Sequence, residues 1–256
     1  MILVADIGNS NITIGLLEKR ELKANWRLNS RIMRTEDEIW ILLKMLLESE
    51  GFAWRQIDGF ALGSVVPSLT PAFERVVKNR LRVPLVNVTH QLPLGIKILY
   101  ANPQQVGADR LCNAVAGFER FGGPLVIVDL GTATTFDCVS AQAEYLGGII
   151  APGPETTAAI LHQAAARLPK VELQFPPALI GRTTETSIQS GLMFGGVEIV
   201  DGLNRRLKQE LGENTRIIAT GGLATVLMPH LQTVERIEPN LTLEGLGIIF
   251  ERCAPA

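Results

Sequence analysis

Two short segments of the sequence join an acidic residue, a glycine and small polar residues directly after an apolar run. Asp6-Ile7-Gly8-Asn9-Ser10 follows Ile2–Ala5, and Asp129-Leu130-Gly131-Thr132-Ala133 follows Leu125–Val128. A carboxylate at the end of a buried strand can orient a metal ion, directly or through water. The glycine lets the backbone approach a polyphosphate, and the polar residues after it supply hydrogen-bond donors. Both segments therefore predict phosphate chemistry.

The two segments lie about half of the 256-residue chain apart and show the same order of elements. Each consists of a strand, an Asp, an apolar residue, a Gly, a small polar residue and then a β-branched strand. A single copy could be an ordinary β-hairpin turn. Two copies at equivalent places predict a duplicated βββα lobe. The turn of one lobe would then face the turn of the other, and the two would clamp a nucleotide triphosphate from both sides.

A third segment, Ile217–Ala224, is a strand that runs into the pair Gly221-Gly222 and then a helix. A glycine pair can form a flat floor under a base or ribose, and a helix N-terminus presents free N–H groups. The same joint can equally be a purely structural turn. The sequence contains neither of the common nucleotide motifs GxxxxGK[ST] and GxGxxG.

The residues that would bind the molecule receiving the phosphate are predicted at Tyr100–Arg110. Within this segment, Val106-Gly107-Ala108-Asp109-Arg110 begins a helix. Asp109 is either a general base for an attacking hydroxyl or an acid favoured by the first turn of a helix. Arg110 is suited to bind a carboxylate or phosphate, or else closes the local turn. Tyr100 either lines a small-molecule pocket or packs over the edge of the hydrophobic core.

The alternation of strands and helices predicts an α/β chain. Strands are predicted at Ile2–Ala5, Ile12–Leu17, Phe60–Leu62, Leu85–Val88, Leu125–Val128, Thr134–Val139 and Arg216–Ala219. Helices are predicted at Glu36–Glu48, Thr70–Arg80, Ala108–Phe121, Pro154–Arg167, Thr186–Leu211 and Leu241–Arg252. Thr35 and Glu38 match a capping box at the start of the first helix. Leu168–Pro177 reads as an extended connector.

Composition excludes several classes of protein. Hydrophobic residues make up 46% of the chain, which excludes intrinsic disorder. The 24 Lys and Arg against 26 Asp and Glu leave a net charge of −2, without the basic field that nucleic acid or an anionic membrane attracts. No apolar run approaches the roughly 20 residues of a membrane helix, and the N-terminus lacks a signal peptide's basic region. The three cysteines, without CxxC, predict reduced thiols in a cytoplasmic protein.

Seven motifs, in order along nearly the whole chain, carry a family resemblance. They are Asp6–Ser10, Ser64–Pro67, Gly107–Arg110, Asp129–Thr134, Gly147–Gly153, Ile180–Thr184 and Leu241–Leu246. Together they resemble the type III pantothenate kinase family. Ser10 stands where the family often has Thr, a change that keeps the hydroxyl.

The resemblance implies the fold of the acetate and sugar kinase, chaperone and actin superfamily. In that fold two ribonuclease H-like lobes, which arise from an internal duplication, flank an ATP cleft. We predict an N-terminal lobe at residues 1–115 and a C-terminal lobe at 116–256. The implied reaction is ATP-dependent phosphorylation of the primary hydroxyl of pantothenate to 4'-phosphopantothenate, the first step of coenzyme A biosynthesis.

The resemblance also implies a role for each matched residue. Asp109 would accept the proton, and Asp129 would hold a monovalent cation, potassium or ammonium. The residues that would contact ATP, which carries Mg²⁺, are Asp6, Ile7, Gly8, Asn9, Ser10, Asn11, Ile12, Thr13 and Thr132. Those that would contact pantothenate are Tyr100, Gly107, Ala108, Asp109, Arg110 and Thr184. The family acts as a homodimer, with the acceptor pocket close to the subunit interface.

Two rival functions stand beside this prediction. The first is another small-molecule kinase of the superfamily, which would act on a different hydroxyl or on an acyl group; Tyr100 and Gly107–Arg110 argue against it. The second is a catalytically silent homologue that binds nucleotide and acts as a regulator. Such a protein would be expected to lose Asp109 or Asp129, and both are present.

Overall fold

The computed structural model describes residues 1–165 and 168–254. The strands in these ranges are β1 (Ile2–Ile7), β2 (Asn11–Glu18), β3 (Glu21–Asn29), β4 (Gly59–Ser64), β5 (Leu85–Asn87), β6 (Lys97–Ile98), β7 (Leu125–Leu130), β8 (Ala133–Val139), β9 (Glu144–Pro152), β10 (Arg216–Thr220) and β11 (Arg236–Ile237). The helices are α1 (Glu36–Ser49), α2 (Thr70–Val76), α3 (Ala108–Phe121), α4 (Pro154–Ala164), α5 (Thr184–Leu211), α6 (Ala224–Leu227) and α7 (Leu241–Cys253). Every helix in the described ranges is too short or too polar to cross a lipid bilayer.

The chain forms two compact units, one made of Met1–Arg120 with the described residues from Asn240 onward, and the other of Phe121–Pro239. This differs from the predicted boundary between residues 115 and 116. The physical reason is that α7 packs on the sheet of the first unit through buried aliphatic residues such as Leu246 and Ile249. The last helix therefore completes the unit in which the chain begins.

The two units have the same strand topology. In the first, the strand order is β3-β2-β1-β4-β5, with β1–β2–β3 antiparallel and β1, β4 and β5 parallel. In the second, β9-β8-β7-β10-β11 repeats that order and the same directions. The predicted duplication of a βββα lobe is confirmed: the repeated strands are β1–β3 followed by α1, and β7–β9 followed by α4.

The sheet of the first unit has one face of aliphatic residues and an opposite face on which several glycines lie. Leu3, Ala5 and Ile7, with their neighbours on β2 and β4, pack against α1 and α2. On the other face, a Cβ on Gly59 would overlap the ring of Phe250 in α7. Glycine there lets a helix lie close to the sheet.

Most predicted elements are present, and the differences have local causes. β3 was not predicted, because it is an edge strand whose residues are only half-buried or exposed and whose apolar content is low. β9 was not predicted because the pair Gly147-Gly148 suggests a turn, whereas pairing with β8 holds it extended. The α-helical part of α2 ends at Val76 and continues as a π-helical turn over Val77–Leu81. α4 ends at Ala164, and the predicted end at Arg167 lies outside the described residues.

Candidate active site

The first predicted phosphate turn connects β1 to β2. The N–H of Gly8 donates to the carbonyl oxygen of Asn11 at 3.0 Å, and the N–H of Ser30, just after β3, donates to the carbonyl of Ser10 at 3.2 Å. A Cβ on Gly8 would lie only 3.2 Å from that Asn11 oxygen. The turn is therefore narrow and is held from two sides, while Asn9 at its tip is exposed.

Asp6 lies one residue before the end of β1, on the face of the sheet that α3 covers. Its register partners are Thr13 on β2 and Gly63 on β4, and residues directly opposite each other project from the same face. A Cβ on Gly63 would lie 3.6 Å from the Cβ of Ala108 and 3.9 Å from Sγ of Cys112. These are ordinary van der Waals distances, so the first turn of α3 lies directly over the carboxyl end of β4, beside β1.

The start of α3 presents the predicted proton acceptor. The backbone N–H of Arg110 donates to Oδ1 of Asp109 at 2.8 Å. A Cβ on Gly107 would run into the Asp109 carboxylate, so glycine leaves room for this side chain. Burial raises the pKa of Asp109, and the N–H and positive charge of Arg110 oppose this shift. The carboxylate is consequently a stronger base than an exposed aspartate.

Cys112, one turn further along α3, is influenced by the charges of two predicted site acids. Its thiol is fully buried, and its pKa is raised well above the usual value, first by burial and then by the carboxylates of Asp6 and Asp109. Both carboxylates therefore lie within electrostatic range of one sulfur atom. A protonated thiol adds no further negative charge near these two carboxylates.

The second predicted turn connects β7 to β8 in the other unit. The N–H of Gly131 donates to the carbonyl of Ala133 at 3.1 Å. The carbonyl of Thr132 accepts from the N–H of Gly153 at 3.2 Å and from Oγ1 of Thr156 at 2.6 Å. The segment between β9 and α4 thus fixes the backbone of this turn, while the side chain of Thr132 is exposed.

Gly221 shapes the surroundings of Asp129. It has a φ of +94°, and a Cβ there would lie 2.5 Å from Oδ1 of Asp129 and 2.6 Å from the nitrogen of Leu130. Only glycine fits at this approach of β10 to β7. The glycine pair was interpreted either as a nucleotide floor or as a structural turn, and the structure shows a packing role for its first residue. The helix after it, α6, has only four residues.

The donors around Asp129 fit a monovalent cation. Its register partners are Thr135 on β8 and Thr220 on β10, so a carboxylate and two hydroxyls project from one face of the sheet. Potassium is coordinated in proteins by oxygen atoms. Within residues 1–165 and 168–254, no group of three or more His, Cys, Asp or Glu side chains could hold a metal ion.

The remaining predicted pantothenate contacts lie in both units. Tyr100 is half-buried in the first unit, in the loop before a 3₁₀ turn at Pro103–Gln105. Thr184 is the exposed first residue of α5 in the second unit, after the N-cap Thr183, whose hydroxyl accepts from the N–H of Thr186 at 3.1 Å.

Sequence reasoning missed Gly63, which lies opposite Asp6 and against α3, and Cys112, which is influenced by the charges of Asp6 and Asp109. A signal for the first was present: Gly59 and Gly63 flank the predicted strand Phe60–Leu62 and are four residues apart, a spacing that puts both on one face of a strand and is typical of a closely packed helix.

Comparison with known proteins agrees with the motifs and the topology. The family model described as type III pantothenate kinase matches residues 2–206. A type III pantothenate kinase of Thermomicrobium roseum is 45% identical over 252 residues, which cover 98% of this chain and 97% of that protein. Another, of Moorella thermoacetica, is 43% identical over 253 residues, which cover 98% of this chain and 99% of that protein.

This chain belongs to the type III pantothenate kinase family. It is an ATP-dependent kinase whose reaction, the phosphorylation of pantothenate, is the first step of coenzyme A biosynthesis. The solved ROK hexokinase of Thermus thermophilus matches with a TM-score of 0.55 at 11% identity, over 97% of each chain. This likeness shows a shared α/β fold with two mixed sheets in two lobes, as predicted for the acetate and sugar kinase, chaperone and actin superfamily.

Proposed function

We propose that Asp109 accepts the proton from the primary hydroxyl of pantothenate and that the turn within Asp6–Thr13 binds the phosphates of ATP. The observation that carries the proposal is the packing of the first turn of α3 beside Asp6, since Gly63, the register partner of Asp6, lies against Ala108 and Cys112. Phosphoryl transfer depends on positioning and on neutralising charge rather than on covalent chemistry. A base beside the phosphate turn is what such a reaction requires.

The acceptor contacts follow from the same end of α3. Arg110 is buried directly after Asp109, and its guanidinium suits the carboxylate of pantothenate. In the proposed role, Gly107 and Ala108 contact the substrate through the opening of the helix. Tyr100 and Thr184 complete the set of pantothenate contacts.

In the second unit, we assign an ATP contact to Thr132 and a monovalent cation, potassium or ammonium, to Asp129. Support comes from the exposed Thr132 side chain and from the oxygen-rich row formed by Asp129, Thr135 and Thr220. A bound cation supplies positive charge that offsets the negative charge of the phosphates. Gly221 leaves room for the Asp129 carboxylate, because a side chain at this position would overlap Oδ1 of Asp129. Mg²⁺ is assigned to ATP itself, since it keeps several water ligands.

We further propose a cytoplasmic homodimer. Ile150, Ile160 and Ile180 in the second unit are 64%, 55% and 81% exposed, and exposed aliphatic side chains of this kind are what a partner subunit covers. Sedimentation velocity at several protein concentrations measures the assembly; a monomer throughout would contradict it.

The deciding experiment is a coupled ATP-consumption assay with pantothenate, with and without potassium. The parent enzyme should need potassium or ammonium, and Asp129→Ala should raise the potassium concentration required or abolish activity, because the cation loses its charged ligand. Glu213→Ala removes an exposed carboxylate from the same unit. It should change neither the potassium concentration required nor the activity. Parent activity that is insensitive to both cations would remove the cation role. ATP binding without phosphate transfer under added potassium would indicate a silent homologue.

A further inference from the structure

Arg27 lies in the same row of the first sheet as Asp6. Asp6 is opposite Thr13 on β2, and Thr13 is opposite Arg27 on β3. Directly opposed residues of neighbouring strands project from one face. Asp6, Thr13 and Arg27 thus form a line across three strands on the face that α3 covers.

This line runs directly beside the first phosphate turn. Asn29, two residues after Arg27, is opposite Asn11, and the N–H of Ser30 donates to the carbonyl of Ser10. The end of β3 is therefore attached to the turn through both pairing and a loop hydrogen bond. Neighbouring strands lie about 4.8 Å apart, and the long side chain of an arginine on β3 can extend over the shorter Thr13 side chain.

The charge of Arg27 is not used inside the first unit. Its side chain is exposed, and within the described part of the chain it forms neither a hydrogen bond nor an ion pair with a carboxylate. The other cation of β3, Lys23, pairs with Glu21 at 2.6 Å. Arg34, in the following loop, donates to the carbonyl of Asn29 at 2.5 Å. Arg27 and Arg31, the latter in the loop after β3, thus both have a charge available for a ligand, and of the two only Arg27 lies in the row of Asp6 and Thr13.

From this placement we infer that Arg27 binds the β- or γ-phosphate of ATP. The inference rests on the proposed role of the Asp6–Thr13 turn in ATP binding. A guanidinium can donate two parallel hydrogen bonds to phosphate oxygens. It also supplies, from the neighbouring strand, the positive charge that a lysine of a phosphate loop provides elsewhere.

The test is the Arg27→Gln variant, with affinities for AMPPNP, ADP and AMP measured by calorimetry and with steady-state kinetics. A lost charge-assisted contact predicts AMPPNP affinity about 10–100-fold weaker. AMP affinity and KM for pantothenate should stay unchanged, because neither ligand carries a β- or γ-phosphate. Arg27→Lys should recover part of the loss. Lys23→Gln removes one positive charge from the same strand and should bind all three nucleotides as the parent does.

The outcomes separate this inference from the proposed function. Equal weakening for AMPPNP and AMP, or Arg27→Lys no better than Arg27→Gln, would show a structural effect and overturn the inference. A second variant, Gly8→Val, crowds the turn itself and should weaken AMPPNP binding. Loss in Gly8→Val with parent-like affinity in Arg27→Gln would overturn the role of Arg27 alone. Parent-like affinity in both would overturn the ATP-binding role of the turn as well.

Discussion

At the scale of single residues, Asp109 combines a functional charge with a stability cost. Burial raises the pKa of its carboxyl. A group whose pKa is higher in the folded than in the unfolded chain favours folding when it is protonated, at low pH. That contribution is lost as the pH rises through the folded-state pKa. Above it, the ionised carboxylate that serves as a base is held at the expense of stability.

Asp109→Asn should therefore separate activity from stability. We expect turnover to fall about 10²–10⁴-fold, the usual contribution of a positioned base, with ATP binding retained. The free energy of unfolding at pH 7 should rise relative to the parent, and this difference should shrink as the pH is lowered through the raised pKa of Asp109 toward the ordinary range of an aspartate. The asparagine carbonyl can still accept from the Arg110 N–H, so the start of α3 is preserved.

Kinetics with saturating ATP, and urea unfolding at a series of pH values from neutral down to the ordinary range of an aspartate, provide the two measurements. Asp58→Asn, at an exposed carboxylate paired with the N-terminus at 2.6 Å, serves as the control and should leave turnover unchanged. Near-normal turnover in Asp109→Asn would exclude Asp109 as the proton acceptor.

At the scale of elements, helix packing around the site depends on glycines. A Cβ on Gly245 of α7 would lie 2.6 Å from the carbonyl carbon of Cys112 in α3 and 2.8 Å from its Cα. Because the neighbouring atoms belong to the backbone of Cys112, no flexible side chain can move aside to make room for a Cβ. This close approach of α7 to α3 is one turn away from Asp109.

Gly245→Ala is expected to destabilise the protein by about 1–3 kcal/mol through overpacking and to lower kcat by shifting α3. Gly191 of α5 is the matched control, since it is also inside a helix but a Cβ there meets nothing within 4 Å. Gly191→Ala should be neutral or stabilise by up to about 1 kcal/mol, because alanine favours helix. Urea unfolding followed by circular dichroism compares them; equal stability of the two variants would contradict the packing argument.

Element boundaries with local signals were predictable, while those that depend on pairing were not. The capping box at Thr35 is confirmed, with the N–H of Thr35 donating to Glu38 at 2.7 Å and the N–H of Glu38 donating to Thr35 at 3.3 Å. α3 begins and ends where its periodicity predicts. By contrast, β3 and β9 owe their extended structure to hydrogen bonds with β2 and β8, and a short window of sequence contains no such partner.

At the scale of the whole molecule, the last helix, α7, belongs to the unit that contains the N-terminal residues. Removing α7 by ending the chain at Pro239 should abolish cooperative folding of that unit, because the helix buries aliphatic residues on its sheet. The three tryptophans, Trp26, Trp40 and Trp54, all lie in the first unit, so their fluorescence reports on it selectively. The truncated chain should show red-shifted emission.

A chain that ends at Cys253 keeps α7 whole and is the control for this truncation. Its emission and urea transition should match those of the parent. Native-like emission and a cooperative transition in the chain that ends at Pro239 would show that α7 does not contribute to the first unit.

The repeated acidic turn, the α/β class and the family followed from amino-acid order alone, because strand ends, caps and glycine turns are encoded by neighbouring residues. Folding was needed to show that α7 joins the N-terminal sheet, that Gly221 packs on Asp129 and that Arg27 shares a row with Asp6. Each of these depends on backbone segments far apart in the chain meeting at a defined register, which hydrogen bonding and steric fit decide together.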